Sequence, residues 1–97
     1  MKIKELKYKD NIYTSERVIN NILKTENFYW LIDSELENAV IEIKNNTLIW
    51  YNGSYITGNW HYGIFKDGSF YGIWENGIWE GGNFSGKWKS GINLLEI

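Results

Sequence analysis

The 97-residue chain contains no cysteine, no proline and one histidine. Without cysteine it has neither disulfides nor a thiolate metal site. His61 has no second histidine to share a metal with, and no acid certain to lie close enough to orient its ring for catalysis. Long apolar runs are also missing. No segment approaches the ~18 consecutive apolar residues of a membrane-spanning helix. The opening MKIKELKYKD alternates charged and apolar residues and so lacks the apolar core of a signal peptide. A cytoplasmic protein without a membrane segment is expected. Ten glycines suggest phosphate loops, yet neither GxGxxG opening a helix nor GxxxxGK followed by Ser or Thr occurs. No cofactor is implied.

Positive charge is sparse. The net charge is −2, divided as +3 over residues 1–24, −4 over 25–47 and −1 over 48–97. A surface dominated by Lys and Arg, which nucleic acid requires, is not expected. The acidic stretch holding Glu35, Glu37 and Glu42 reads as a solvated hairpin edge or as a ridge facing a basic partner.

What the chain does have is an ordered supply of glycine and aromatic rings. Glycines at 53, 58, 63, 68, 72, 77, 82 and 86 are each followed two residues later by Tyr55, Trp60, Phe65, Phe70, Trp74, Trp79, Phe84 or Trp88. The step is five residues, shortened to four from Phe70 to Trp74 and from Phe84 to Trp88. On a straight strand an odd step sends successive rings to opposite faces. On a helix, five steps of about 100° send them wandering round the cylinder, and so much glycine penalises a helix. The rings stay on one side only if the chain turns a corner in every repeat. Glycine suits that corner because it tolerates positive φ and leaves room for a neighbouring ring. Residues 70–83 are echoed by 84–97 at a spacing of fourteen, which suggests three-sided turns there. The earlier run of fives suits four sides, so the cross-section stays open.

The expected fold is therefore mainly β, a short-strand, solenoid-like array over 48–97. The alternative is an antiparallel meander, since Asn52-Gly53, Asp67-Gly68 and Asn76-Gly77 are hairpin dipeptides. Residues 1–47 read as a cap within the same single domain. Residues 2–9 suggest a charged edge strand, and Asn11 to Ser15 a turn. A short helix follows over SERVINNILK, capped by Thr14 or Ser15, its stripe of Val18, Ile19, Ile22 and Leu23 facing the open end of the array. Asn27 to Asp33 read as a strand, Ser34 to Asn38 as an acidic turn, and 39–43 and 47–51 as strands joined at Asn45-Asn46. The closing NLLEI reads as an apolar strand.

The G-x-aromatic step over 53–91 resembles the pentapeptide-repeat family, which places a small residue two positions before a large inward one. That resemblance implies a right-handed, four-sided β-helix. Here glycine replaces the usual small residue, aromatics replace Leu or Phe, and two steps are four long. The wording YNGSY, KDGSF and ENGIWEGG is similar to the N-G-x-W and W-x-x-G-x-W arrays of small phage and viral proteins. That resemblance implies an inhibitor of a host or defence protein, anti-CRISPR proteins being of this kind.

Functional candidates are few. Glu75 and Glu80 follow consecutive repeat tryptophans but point outward on this pattern, so they read as solvated acids rather than a glycosidase pair. An enzyme is not expected. The residue between glycine and ring should face solvent, yet it is isoleucine at Ile64, Ile73 and Ile78, and Ile92 follows Gly91. Clustered on one wall beside Tyr71, these residues would centre a contact with another protein or with a second copy in a dimer. Tyr62 and Tyr51 lie off the ring column and are expected on the surface with Tyr71. The binding candidates are thus Ile64, Ile73, Ile78, Tyr71, Tyr62, Glu35 and Glu37. The other classes left open are a carbohydrate-binding module stacking sugars on exposed Trp and Tyr, and a self-assembling structural protein.

Overall fold

A computed structural model describes residues 1–96. Strands β1 (Ile3–Tyr8) and β2 (Asn11–Tyr13) precede helices α1 (Glu16–Thr25) and α2 (Tyr29–Ile32). Two long strands follow, β3 (Glu35–Lys44) and β4 (Thr47–Thr57). Eight two-residue strands complete the array: β5 (Asn59–Trp60), β6 (Ile64–Phe65), β7 (Ser69–Phe70), β8 (Ile73–Trp74), β9 (Ile78–Trp79), β10 (Asn83–Phe84), β11 (Lys87–Trp88) and β12 (Ile92–Asn93).

The array is a three-sided coil. β6 pairs in parallel with β4 at Ile49–Trp50 and with β9, which pairs with β12. This is the first wall. β7 pairs with β4 at Ser54–Tyr55 and with β10, forming the second. β5, β8 and β11 form the third. The register advances fifteen residues from Ile49 to Ile64 and fourteen from Ile64 to Ile78 and from Ile78 to Ile92. Every coil therefore has three sides, and the four-sided section implied by uninterrupted fives is not formed. The missing residue lies at one corner. The first coil turns from second to third wall with Ile56 and Thr57 before Gly58, because Thr57 is still paired with Glu35 of β3. Later coils turn there with Tyr71 or Ser85 alone.

The rings fill the tube as three columns. Trp50, Phe65 and Trp79 stack behind the first wall, with centroids 5.4 and 4.5 Å apart and planes within 13°. Tyr55, Phe70 and Phe84 stack behind the second, and Trp60, Trp74 and Trp88 behind the third. Within a coil the rings meet edge to face, as Phe65 does with Phe70 at 90°. Both arrangements are the ones aromatic quadrupoles favour. Stacking at this spacing is what a parallel ladder of identical positions imposes, since neighbouring strands lie ~4.8 Å apart.

Glycine at the corners is required by space as well as φ. Gly68 has φ +117°, and a Cβ there would lie 2.3 Å from the Gly53 carbonyl oxygen. The side chains of Asn52, Asp67 and Asn76 accept the N–H of the glycine that follows each. These dipeptides thus make corners and not the hairpins of a meander. Asn45 and Asn46 do make the expected hairpin, both with positive φ.

Four expectations for the cap are corrected. Residues 11–13 form β2, not a turn, so β1 is an inner strand between β2 and β3. Ser34 to Asn38 do not form a turn, since β3 begins at Glu35. NFYWLID is not a strand: Asn27 adopts φ +64°, and the Phe28 N–H returns to the Leu23 carbonyl at 2.8 Å. That left-handed residue, one past the C-cap Glu26, turns Phe28 and Leu31 inward, overriding the strand propensity of the aromatics. Nor does α1 close the tube. Its buried Ile19 and Leu23 pack among β1 and α2, while α2 touches the first coil. Ser15 occupies the N-cap without a side-chain bond. After β12 the chain makes a 3₁₀ turn over Leu94–Glu96, not the expected strand, and Ile97 lies outside the described residues.

Candidate functional site

Outward residues repeat along each wall as inward ones do, so each wall has a chemical character. The second carries Ser54, Ser69 and Asn83, and the third Asn59, Ile73 and Lys87. The first carries Ile49, Ile64, Ile78 and Ile92 in register. The first three are partly exposed, shielding one another along the ladder, and Ile92 is 56% exposed. Isoleucine suits a pleated surface, but only one wall repeats it.

Two ion pairs frame this strip. Lys66 Nζ lies 3.4 Å from Glu80 Oε1 at the corner leaving the first wall. Lys89 Nζ lies 3.5 Å from Glu75 Oε1 at the corner entering it. At the cap end Glu42 pairs with Ile49 in the sheet and accepts a 2.6 Å bond from the Tyr51 hydroxyl. That bond, with some desolvation, raises the Tyr51 pKa. The arrangement is an apolar centre with a charged rim, the layout of protein contact surfaces. Glu75 and Glu80 occupy different corners, each paired with a lysine one coil away.

The seven candidates fall in several places. Ile64 and Ile78 are neighbours on the first wall. Tyr62 stands at the corner before it, half-exposed, its hydroxyl donating to the Asn46 carbonyl at 2.9 Å. Ile73 belongs to the third wall, with Tyr71 at the corner leading to it, so the expected cluster of Ile73 and Ile78 is not formed. The fourteen-residue coil places them on different sides. Glu35 and Glu37 are exposed opposite Thr57 and Ser54, away from the isoleucines. Ile49 had escaped the pattern because leucine, not glycine, precedes it; its register with Ile64 adds it to the strip.

The rings settle where a sugar could stack. Trp60 and Trp74 are fully buried and Trp79 nearly so; among the described residues Tyr29, Tyr51, Tyr62 and Tyr71 are exposed, and Phe84 and Trp88 partly so. His61 stacks on Trp30 at 5.4 Å and 9°. No group of three His, Cys, Asp or Glu side chains among the described residues is placed to hold a metal. No described helix is long and apolar enough to cross a membrane.

The two ends of the tube differ. At the first coil Trp30 of α2 meets Trp60 edge to face at 5.3 Å. Ser34 bonds the Tyr55 hydroxyl at 2.5 Å and donates to the Trp30 carbonyl at 2.6 Å. Burial pushes the Tyr55 pKa up to about 12, with the Ser34 bond opposing the shift. At the other end Phe84 and Trp88 are partly exposed around an open depression of about 520 Å³, which Trp79, Gly91 and Asn93 also line.

No protein-family model, curated protein or solved structure matches the chain.

Proposed function

We propose that this protein is a non-enzymatic binding module that holds another protein against its isoleucine wall. Occluding that partner's surface, as an inhibitor of a host or defence protein does, is the mode of action that fits a small rigid prism. The observation supporting this reading is the contrast among walls: Ile49, Ile64, Ile78 and Ile92 share one, framed by Lys66–Glu80 and Glu75–Lys89. A flat apolar strip desolvates readily, while the charged rim fixes orientation.

The test is a double substitution, Ile64→Glu with Ile78→Lys. The new charges sit opposite each other on adjacent strands, so they support the ladder rather than repel. Tagged wild-type and variant proteins are used to capture partners from the cells that make them, with bound proteins identified and quantified. A stoichiometric partner held by the wild type and lost by an equally folded variant is the expected result. Equal capture by both would move the binding surface elsewhere.

A further inference from the structure

The end of the tube away from the cap is unfinished in two independent ways. The first concerns the backbone. Asn83, Ser85, Lys87 and Lys89 donate their N–H groups to the carbonyls of Gly68, Phe70, Gly72 and Trp74 in the coil before. One coil on, the carbonyls of Phe84, Gly86 and Trp88 receive no such bond among the described residues. Strands β10 and β11 are paired on one side only, and β12 covers just Ile78–Trp79. The second concerns the rings. The columns ending in Phe84 and Trp88 have no further ring to stack on, and both rings face the open depression.

We propose that this end is a self-association surface, where two copies of the chain meet end to end about a two-fold axis. The seat asks for an occupant of triangular section that presents free strand edges and aromatic rings together, and the same end of a second copy supplies both. A two-fold axis perpendicular to the tube reverses the strand direction, so the ladders meet antiparallel, a pairing open edges accept. Among the described residues, the charged side chains of the last coil are Glu80, paired with Lys66, Lys89, paired with Glu75, and Lys87, so repulsion between copies is weak. Growth stops at two. At the opposite end β3 pairs with β4 along two walls and α2, with Trp30, lies against β5 of the third, which blocks head-to-tail stacking and leaves the closed, isologous pair. The shorter dimensions, 24 and 19 Å, bound the end face at roughly 450 Å² per copy, against about 800 Å² in a standard interface. The pair is accordingly weak and concentration-dependent.

Sedimentation velocity on the full chain tests this from about 1 µM to about 1 mM, the range over which a sub-standard interface dissociates. The 11.5 kDa species should give way to one of twice that mass as concentration rises. A single 11.5 kDa species throughout overturns the proposal. Trp88→Glu should weaken association at least tenfold, whereas the isoleucine-wall double variant should leave it unchanged; the reverse pattern overturns it. Because Trp88→Glu also risks fraying the last coil, spin labels on single cysteines give a readout with the rings intact. Labels at Ser90→Cys should lie closer between copies than the 36 Å length of one molecule, and labels at Ile12→Cys farther apart than that. Close Ile12 labels with distant Ser90 labels contradict the arrangement.

Discussion

The sealed and open ends of the ring stack hold the same kinds of residue in the same geometry, yet only one is finished. At the first coil, each column is met by a cap residue: Trp30 covers Trp60, Ser34 holds Tyr55, and Ile41 of β3 pairs with Trp50. At the last coil, Phe84 and Trp88 stack on one side only. A repeat stabilises its neighbours as much as itself, so equal residues should contribute unequally at the two ends. Two other strands are paired on one side only among the described residues, β2 and β5, and α2 lies beside β5. β2 is three residues long and next to the charged Lys9 and Asp10.

The largest expected contrast is in the third-wall column. Trp60→Ala should cost ~3–5 kcal/mol, the range for emptying a buried aromatic site, and Trp88→Ala only about 1–2 kcal/mol. Urea unfolding of the two variants measures the difference, and equal losses would break the comparison. The indole N–H groups of Trp50, Trp60 and Trp74 are buried without a partner, and each unmade bond costs ~1–3 kcal/mol. Trp60→Phe removes one such donor and should therefore be far milder than Trp60→Ala.

Next come the corners. Gly68→Ala at φ +117° drives a Cβ into the Gly53 carbonyl and should cost about 2–4 kcal/mol. Gly91→Ala meets a similar obstacle in the Gly77 carbonyl. There the last coil can move away, so roughly half that cost is expected in the same unfolding measurement.

A pH effect belongs to the sealed end alone. Tyr55 is neutral when protonated, and burial raises its pKa from 10.0 to about 12. The unfolded chain releases this proton first as pH rises. Stability should hold below pH 10 and fall by roughly 2–3 kcal/mol between 10 and 12. Ser34→Ala should cost ~1–3 kcal/mol at neutral pH by leaving the Tyr55 hydroxyl unpaired. Tyr55→Phe should flatten the alkaline slope, seen by circular dichroism at fixed urea. The smallest effect is at the wall's rim: Lys66→Ala should change stability by no more than ~0.5 kcal/mol, because Lys66 and Glu80 are both substantially exposed.

The array was legible because one short-range rule governs it. Glycine followed by a ring at every corner, with a ring column that stays inside, leaves a tube as the simple solution. The number of sides was harder. It depends on how far β3 holds β4 straight, and that is a long-range pairing between Glu35 and Thr57 that no local spacing contains. At Asn27 the cause is local: it follows the helix C-cap Glu26 and takes the left-handed turn that ends α1, which the strand-like run after it outweighs in the sequence. The isoleucines were visible as an oddity, but sorting Ile73 from Ile64 and Ile78 required knowing the coil length.

The tube is capped at one end and open at the other, and residue-resolved amide hydrogen exchange at low micromolar concentration tests that directly. Protection should be high at Lys66, Tyr71 and Glu75, whose N–H groups bond to the first coil, and fall stepwise through Ser85 and Lys89 to Ile92. Uniform protection across the coils, or the gradient reversed, would contradict it.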